Sequence, residues 1–209
     1  INYPHEIIYN GVDSNFYCGY FKKNIIKDKY VKFENNSRKK IIAIGRIHKR
    51  KNQLKVIKAL KSLKLPVLII GNKNDSSYYK KCVKAKNKFI RLLPEVSHEK
   101  LKEIYCEACV HVLASWYDTP GLVNLEAGLA GCNIVTTDRG TAYEYLGDYA
   151  LYCNPLDIKD IKKKVLEAYN TPLSENLARH ILTNYTWDKV TDKMMNIYIQ
   201  SISNIAHKI

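Results

Sequence analysis

Residues 110–130 read VHVLASWYDTPGLVNLEAGLA. From Val110 to Ala114 the run is almost continuously apolar, the pattern of a strand covered on both faces rather than one with a wet side. Ser115 to Gly121 is a short stretch of polar, aromatic and turn-forming residues. Leu122 to Ala130 then carries the apolar spacing of a helix. A doubly covered strand that passes straight into a helix is one half of a parallel crossover unit.

The same alternation extends in both directions. Candidate strands fall at 41–45, 67–71, 89–93, 110–114, 133–137 and 150–153, and helical patterns lie between them at 77–86, 98–108, 122–130, 142–146 and 158–169. Between the first two strands Leu54, Ile57, Leu60 and Leu63 recur at every third position, with Lys55, Lys58, Lys61 and Lys64 on the other side. This order predicts an α/β fold, a doubly wound parallel sheet of about six strands, Rossmann-like, followed by C-terminal helices. Right-handed crossovers place all strand C-termini, and any ligand, along one edge. Residues 1–39 read as a linker and irregular segment, 40–185 as the sheet domain, and 186–209 as a terminal helix. There is no internal repeat.

Two segments on the ligand edge carry chemistry. In the first, Thr119 is placed as a helix cap and Pro120 as the first helical residue, where its missing N–H costs nothing. The N–H groups of Gly121, Leu122 and Val123 then face the ligand edge as an anion site. Asp118 and Glu126 flank this helix start. One acid can meet a sugar while the other accepts from a ribose diol; equally, Asp118 can assist the cap and Glu126 can bind a neighbouring loop. The second segment is Gly45-Arg46-Ile47-His48-Lys49-Arg50-Lys51-Asn52 at the exit of the first strand. Arg46 can grip a diphosphate in bidentate fashion, Lys51 adds a point charge, and Asn52 caps the next helix. Lys49 and Arg50 read as a solvated basic run.

Composition narrows the classes. The chain has 209 residues, 46% hydrophobic and 26% charged, an ordinary globular balance. No apolar run is long enough to span a bilayer and no secretory signal opens the chain; an opening without Met suggests a piece of a longer protein. The net charge of +14 reads chiefly as solvated lysine, with peripheral association with an anionic membrane face as the alternative. Nucleic acid is disfavoured, since few aromatics interleave the lysines. Six cysteines, including Cys106 and Cys109, read as buried free thiols in a cytoplasmic protein. P-loop, dinucleotide and nucleophile-elbow motifs are absent, as is any D-x-D pair for a metal. His111, inside an apolar strand, reads as a core or edge residue rather than a catalytic one.

These pieces, in order, resemble the C-terminal domain of GT-B glycosyltransferases of family 4 (group 1). The carriers are Asn10-Gly11-Val12-Asp13, Ile44-Gly45-Arg46-Ile47 with Lys51-Asn52, Leu68-Ile69-Ile70-Gly71 and Leu92-Leu93-Pro94-Glu95-Val96. They continue with Ala114-Ser115, Leu125-Glu126-Ala127, the run Gly131 to Thr137, and Tyr185-Thr186-Trp187-Asp188. The resemblance implies one half of a GT-B fold and retaining transfer from a nucleotide diphosphate sugar, with no metal and no cofactor. It implies that Arg46, Lys51 and the Gly121–Val123 backbone hold the diphosphate and that Glu126 holds the ribose. Val96 would line the base pocket, and Asp118 would contact the sugar. It also implies a crossover helix at 186–209 and a partner domain before Ile1 that binds the acceptor, without which the chain is inactive. Asp118 stands where the family has Glu, and Thr119-Pro120 where it has a Gly-aromatic pair. These departures leave the donor sugar open, and with them the alternative of a non-catalytic nucleotide-sugar-binding module.

Overall fold

A computed structural model describes residues 6–16, 40–119 and 121–206. Its elements are β1 (Lys40–Ile44), α1 (Gln53–Leu60), β2 (Val67–Ile70), α2 (Ser76–Ala85), β3 (Ile90–Leu93), α3 (His98–Glu107) and β4 (Ala108–Leu113). They continue with α4 (Leu122–Leu129), β5 (Asn133–Thr137), α5 (Ala142–Leu146), β6 (Ala150–Cys153), α6 (Ile158–Asn170), α7 (Asn176–Asn184) and α8 (Trp187–Ala206). The six strands form one parallel sheet in the order β3-β2-β1-β4-β5-β6. This is the doubly wound sheet expected from the alternation of apolar runs and helical patterns.

The four inner strands are almost wholly buried because helices cover both faces, while the edge strands β3 and β6 are buried only in part. On one face α1, α2 and α6 lay Val56, Ile57, Leu60, Tyr78, Cys82, Ile161 and Val165 against Ile41, Val67, Ile69 and Val110. On the other, α3, α4, α5 and α7 lay Tyr105, Leu125, Leu129, Leu146 and Ile181 against Ile42, Ile70 and Ile134. Successive strand residues point to opposite faces, so the two cores draw on alternate positions of the same strands. The apolar runs are continuous for that reason.

Local chemistry sets the helix starts. Asp75 accepts from the Tyr78 N–H at 2.9 Å, Ser97 from Lys100 at 3.3 Å and Asp157 from Lys159 at 2.8 Å. Residues 6–16 dock on the α5–α7–α8 end. There the Val12 N–H donates to the Tyr185 carbonyl at 2.7 Å, and the Trp187 N–H donates to the Val12 carbonyl at 3.2 Å.

Three local expectations are corrected. Asn52 stands at the start of α1 with φ 60° but makes no side-chain cap. Its amide instead donates to the Ala114 and Pro155 carbonyls, both at 2.9 Å, tying the exits of β1, β4 and β6 together. Thr119 does not cap α4: the cap is Gly121, in the left-handed region at φ 64°, and Leu122 is the first helical residue. Pro120 lies outside the described residues. Finally, Cys82, Cys109, Cys132 and Cys153 are buried free thiols, whereas Cys106 is disulfide-bonded. Among the described residues no helix is long and apolar enough to cross a membrane.

Candidate functional site

The sheet order reverses between β1 and β4, the place where open parallel sheets leave a crevice beyond their strand ends. Both segments singled out in the sequence leave the sheet there: the basic loop after β1, and the Asp118 loop after β4. They meet directly. Lys51 Nζ lies 2.6 Å from Asp118 Oδ2, Arg50 Nη1 lies 3.7 Å from Asp118 Oδ1, and Ser115 Oγ donates to Asp118 Oδ2 at 2.9 Å. Asp118 is only 4% exposed, so its carboxylate is held by these cations rather than by water.

The Asp118 loop is pinned from behind. Asp118 and Gly140 form a parallel bridge, and the Thr141 N–H donates to the Asp118 carbonyl at 3.3 Å. A β-carbon on Gly140 would stand 2.0 Å from that carbonyl oxygen, at a backbone φ of 98°, so only glycine fits. The basic loop is pinned by Gln53, whose amide donates to the Arg46 carbonyl at 2.9 Å and whose Oε1 accepts from the His48 N–H at 3.4 Å.

Two cavities open at this edge and share Arg46. One, of about 260 Å3, is lined by Gly45, Arg46, Gly71, Val96, Val123 and Glu126, with Ile44, Ile70, Asn72, Glu95 and Leu101. The other, of about 280 Å3, is lined by Arg46, His48, Arg50, Lys51 and Asn74. The first is largely apolar, with Glu95 and Glu126 in its lining; the second is cationic. Arg46, Val96, Val123 and Glu126 are thus brought to one chamber, and Lys51 to its neighbour. Gly121 and Leu122 line neither. Gly121 is buried, its carbonyl accepting from Asn124 at 2.7 Å, while Leu122 and Val123 are half-buried. No protein hydrogen bond is made by the Leu122 or Val123 N–H among the described residues, as expected for the first turn of a helix.

Glu126 accepts from the Tyr105 hydroxyl at 2.8 Å. Burial raises its carboxyl above the ordinary range, against the lowering effect of that hydrogen bond. Beneath the site, His111 Nε2 accepts from the Ile44 N–H at 3.4 Å and Nδ1 faces Asn124 Oδ1 at 3.0 Å. Since the Ile44 amide can only donate, Nδ1 carries the proton and donates to Asn124. Asn124 in turn donates to Thr136 Oγ1 at 3.1 Å. Burial pushes the His111 pKa down to about 4, so it is neutral. This chain links β1, β4, β5 and α4 under the two cavities.

Sequence reading missed Gln53, Tyr105, Asn124 and Gly140 as parts of this construction, and it set Arg50 aside as solvated although Arg50 donates to the Tyr117 carbonyl at 3.1 Å and lines the cationic cavity. Gln53 and Asn124 had one usable signal: each is a polar residue on a helix face that is otherwise apolar. Gly140 stands in Thr-Thr-Asp-Arg-Gly-Thr after a strand, where a turn glycine is common, and nothing local shows what it must clear.

The sequence profile of the family described as "Glycosyl transferases group 1" matches residues 24–186. The chain belongs to that family. This group 1 chain is 24% identical over 214 residues to an uncharacterized glycosyltransferase of Methanocaldococcus jannaschii, covering 92% of this chain and 53% of the relative. It is 29% identical over 118 residues to the O-antigen chain mannosyltransferase B of Escherichia coli, covering 53% of this chain and 30% of that protein. Among solved structures it superposes on sucrose-phosphate synthase of Thermosynechococcus elongatus with a TM-score of 0.76 at 17% identity, covering 95% of this chain and 53% of that one. The fold is that of the C-terminal half of a GT-B glycosyltransferase. The chain spans about half the length of the first of these relatives.

Proposed function

We propose that this chain is the donor-binding half of a glycosyltransferase that uses a nucleotide diphosphate sugar. The observation that carries this reading is the position of Arg46, which lines both an apolar chamber that Glu126 and Val96 also line and a cationic chamber that Lys51 also lines. A nucleoside diphosphate has the matching polarity. Its base and ribose enter beside Val96 and Glu126, and its diphosphate lies between Arg46, Lys51 and the Val123 amide at the start of α4. Gly121 and Leu122 form the turn into α4 rather than lining the cavity. The reaction is retaining transfer to a glycan or lipid-linked acceptor held by the other half of a longer protein. As the bond to the anomeric carbon breaks, negative charge grows on the leaving diphosphate. In this reading Arg46, Lys51 and the Val123 amide meet that charge, and no metal is assigned to the step. Asp118 orients Lys51 and lies beside the expected sugar position.

Isothermal titration with UDP, GDP, ADP and their sugars tests this reading. Arg46→Ala removes charge-assisted hydrogen bonds of about 1.5–3 kcal/mol, so affinity for the preferred nucleotide falls roughly 10- to 100-fold while the urea midpoint stays put. Flat titrations with all three nucleotides sink the proposal. The tight burial of Asp118 against Lys51 favours a second reading, a non-catalytic nucleotide-sugar-binding module. It predicts nucleotide binding but no sugar transfer by the full-length protein.

A further inference from the structure

The lysines that look scattered along the sequence are sorted by the fold. From Lys49 to Asn74 the chain holds eight Lys or Arg and no acid. In the helical layer that packs on one sheet face, α1 carries two lysines, α2 three and α6 four, against only Asp160 and Glu167. None of the nine is buried. In the opposite layer α3, α4, α5 and α7 carry three cations against five glutamates. One broad face is therefore strongly basic and the other mildly acidic.

The basic layer has an apolar rim where it reaches the candidate site. Trp116 is 40% exposed and Leu156 44% exposed. Lys55 joins them, its ammonium 5.1 Å above the Trp116 ring and donating to the Leu156 carbonyl at 2.8 Å. Trp116 is two residues before Asp118, and its N–H donates to the Arg50 carbonyl at 2.9 Å. Cations spread over three helices cannot converge on one phosphate, and the layer's helices contain lysine but no arginine. Lysine is a hydrated point charge suited to diffuse attraction rather than to bidentate reading of a single group. Exposed tryptophan beside lysine is the combination that settles at a lipid headgroup boundary.

We propose that the α1–α2–α6 face docks on an anionic phospholipid surface, with Trp116 and Leu156 seated among the headgroups so that the mouth of the site opens at the membrane. The face lies outside the apolar chamber beside Glu126, so vesicle binding and nucleotide affinity test separate readings.

The experiment is sedimentation of the whole chain with phosphatidylcholine vesicles, with and without about 30 mol % phosphatidylglycerol, at about 0.1 and 0.5 M salt. Tryptophan emission is followed in parallel. The expected result is at least roughly a hundredfold tighter binding to the anionic vesicles, lost at high salt, with a blue shift that Trp116→Phe removes. Replacing the exposed Lys58, Lys81, Lys84 and Lys163 with Gln weakens partitioning by at least roughly a hundredfold, since each lysine near such a surface contributes about fivefold. Replacing Lys100, Lys102 and Lys189, away from the basic layer, changes it less than about twofold. Urea midpoints near that of the parent chain establish that these surface variants are folded. The proposal is overturned if anionic vesicles bind no better than neutral ones, if the basic-face variant binds like the parent, or if the control set loses as much. It is overturned as well if oligonucleotides are retained while vesicles are not, or if Trp116 emission does not shift.

Discussion

Lys51→Met separates the structural from the ligand-binding consequence of the pair at the centre of the site. Lys51 and Asp118 lie 2.6 Å apart with side chains 13% and 5% exposed. Removing one member of such a pair leaves a carboxylate in a place that water barely reaches, which typically costs about 3–5 kcal/mol. Two neighbours soften the loss: the Ser115 hydroxyl at 2.9 Å, and Arg50 at 3.7 Å with a side chain 42% exposed. We therefore expect about 2–4 kcal/mol. Asp118→Asn added to Lys51→Met removes the stranded charge but keeps the Ser115 hydrogen bond, so the double variant recovers most of that loss and the cycle gives a coupling of about 2 kcal/mol. Urea unfolding at pH 7, with midpoints compared at equal slope, measures all four proteins. Nucleotide affinity follows a different pattern: it is lost in Lys51→Met and is not restored in the double variant, because the diphosphate still lacks its ammonium. A single variant within about 0.5 kcal/mol of the parent, or strictly additive changes, would refute the placement of this pair in a water-poor site.

The buried imidazole sets an acid limb to stability. His111 titrates near 4 in the folded protein and near 6.5 when free, so the unfolded chain binds more protons between those values. Stability contributed by this group is complete above about pH 6.5, falls by about 3 kcal/mol down to about pH 4 and is level below that. The raised carboxyl of Glu126 works in the opposite sense, gaining stability as the pH falls. Urea titrations at pH 7 and 4.5 should show a loss in the parent that shrinks in His111→Leu; an unchanged difference removes His111 as the cause. Gly140→Ala forces a methyl onto the Asp118 carbonyl, so we expect a loss above about 2 kcal/mol and weaker nucleotide binding. Full stability in thermal melts would show that the Asp118 loop is not clamped there.

Much of this was legible from residues alone because it depends on near neighbours. Continuous runs such as Ile41 to Ile44 and Val67 to Ile70 announce strands with two covered faces, and the boundaries they suggest fall within a residue or two of those observed. Arg46 was singled out by its place at the exit of such a strand and Glu126 by its place in the helix that follows one, and both line the apolar cavity. The misreadings share one cause. Thr119-Pro120 has the local chemistry of a helix start, and Asn52 that of a cap, but long-range constraints overrode both. Gly121 takes the left-handed position at the start of α4 while the Asp118 loop is held by its bridge to Gly140, and the Asn52 amide is more valuable holding two buried carbonyls than capping an accessible helix end.

The sequence by itself determined the kind of fold, the order of its elements and the types of group at the strand exits, because hydrophobic period and turn chemistry act over a few residues. Only the tertiary structure decided which groups meet. Lys51 and Asp118 are 67 positions apart and touch because β1 and β4 are neighbours in the sheet. The lysines become one charged face because three helices distant in the chain pack on the same side. Pairings of that kind depend on which apolar surfaces cover each other, a property of the whole core that no local pattern contains.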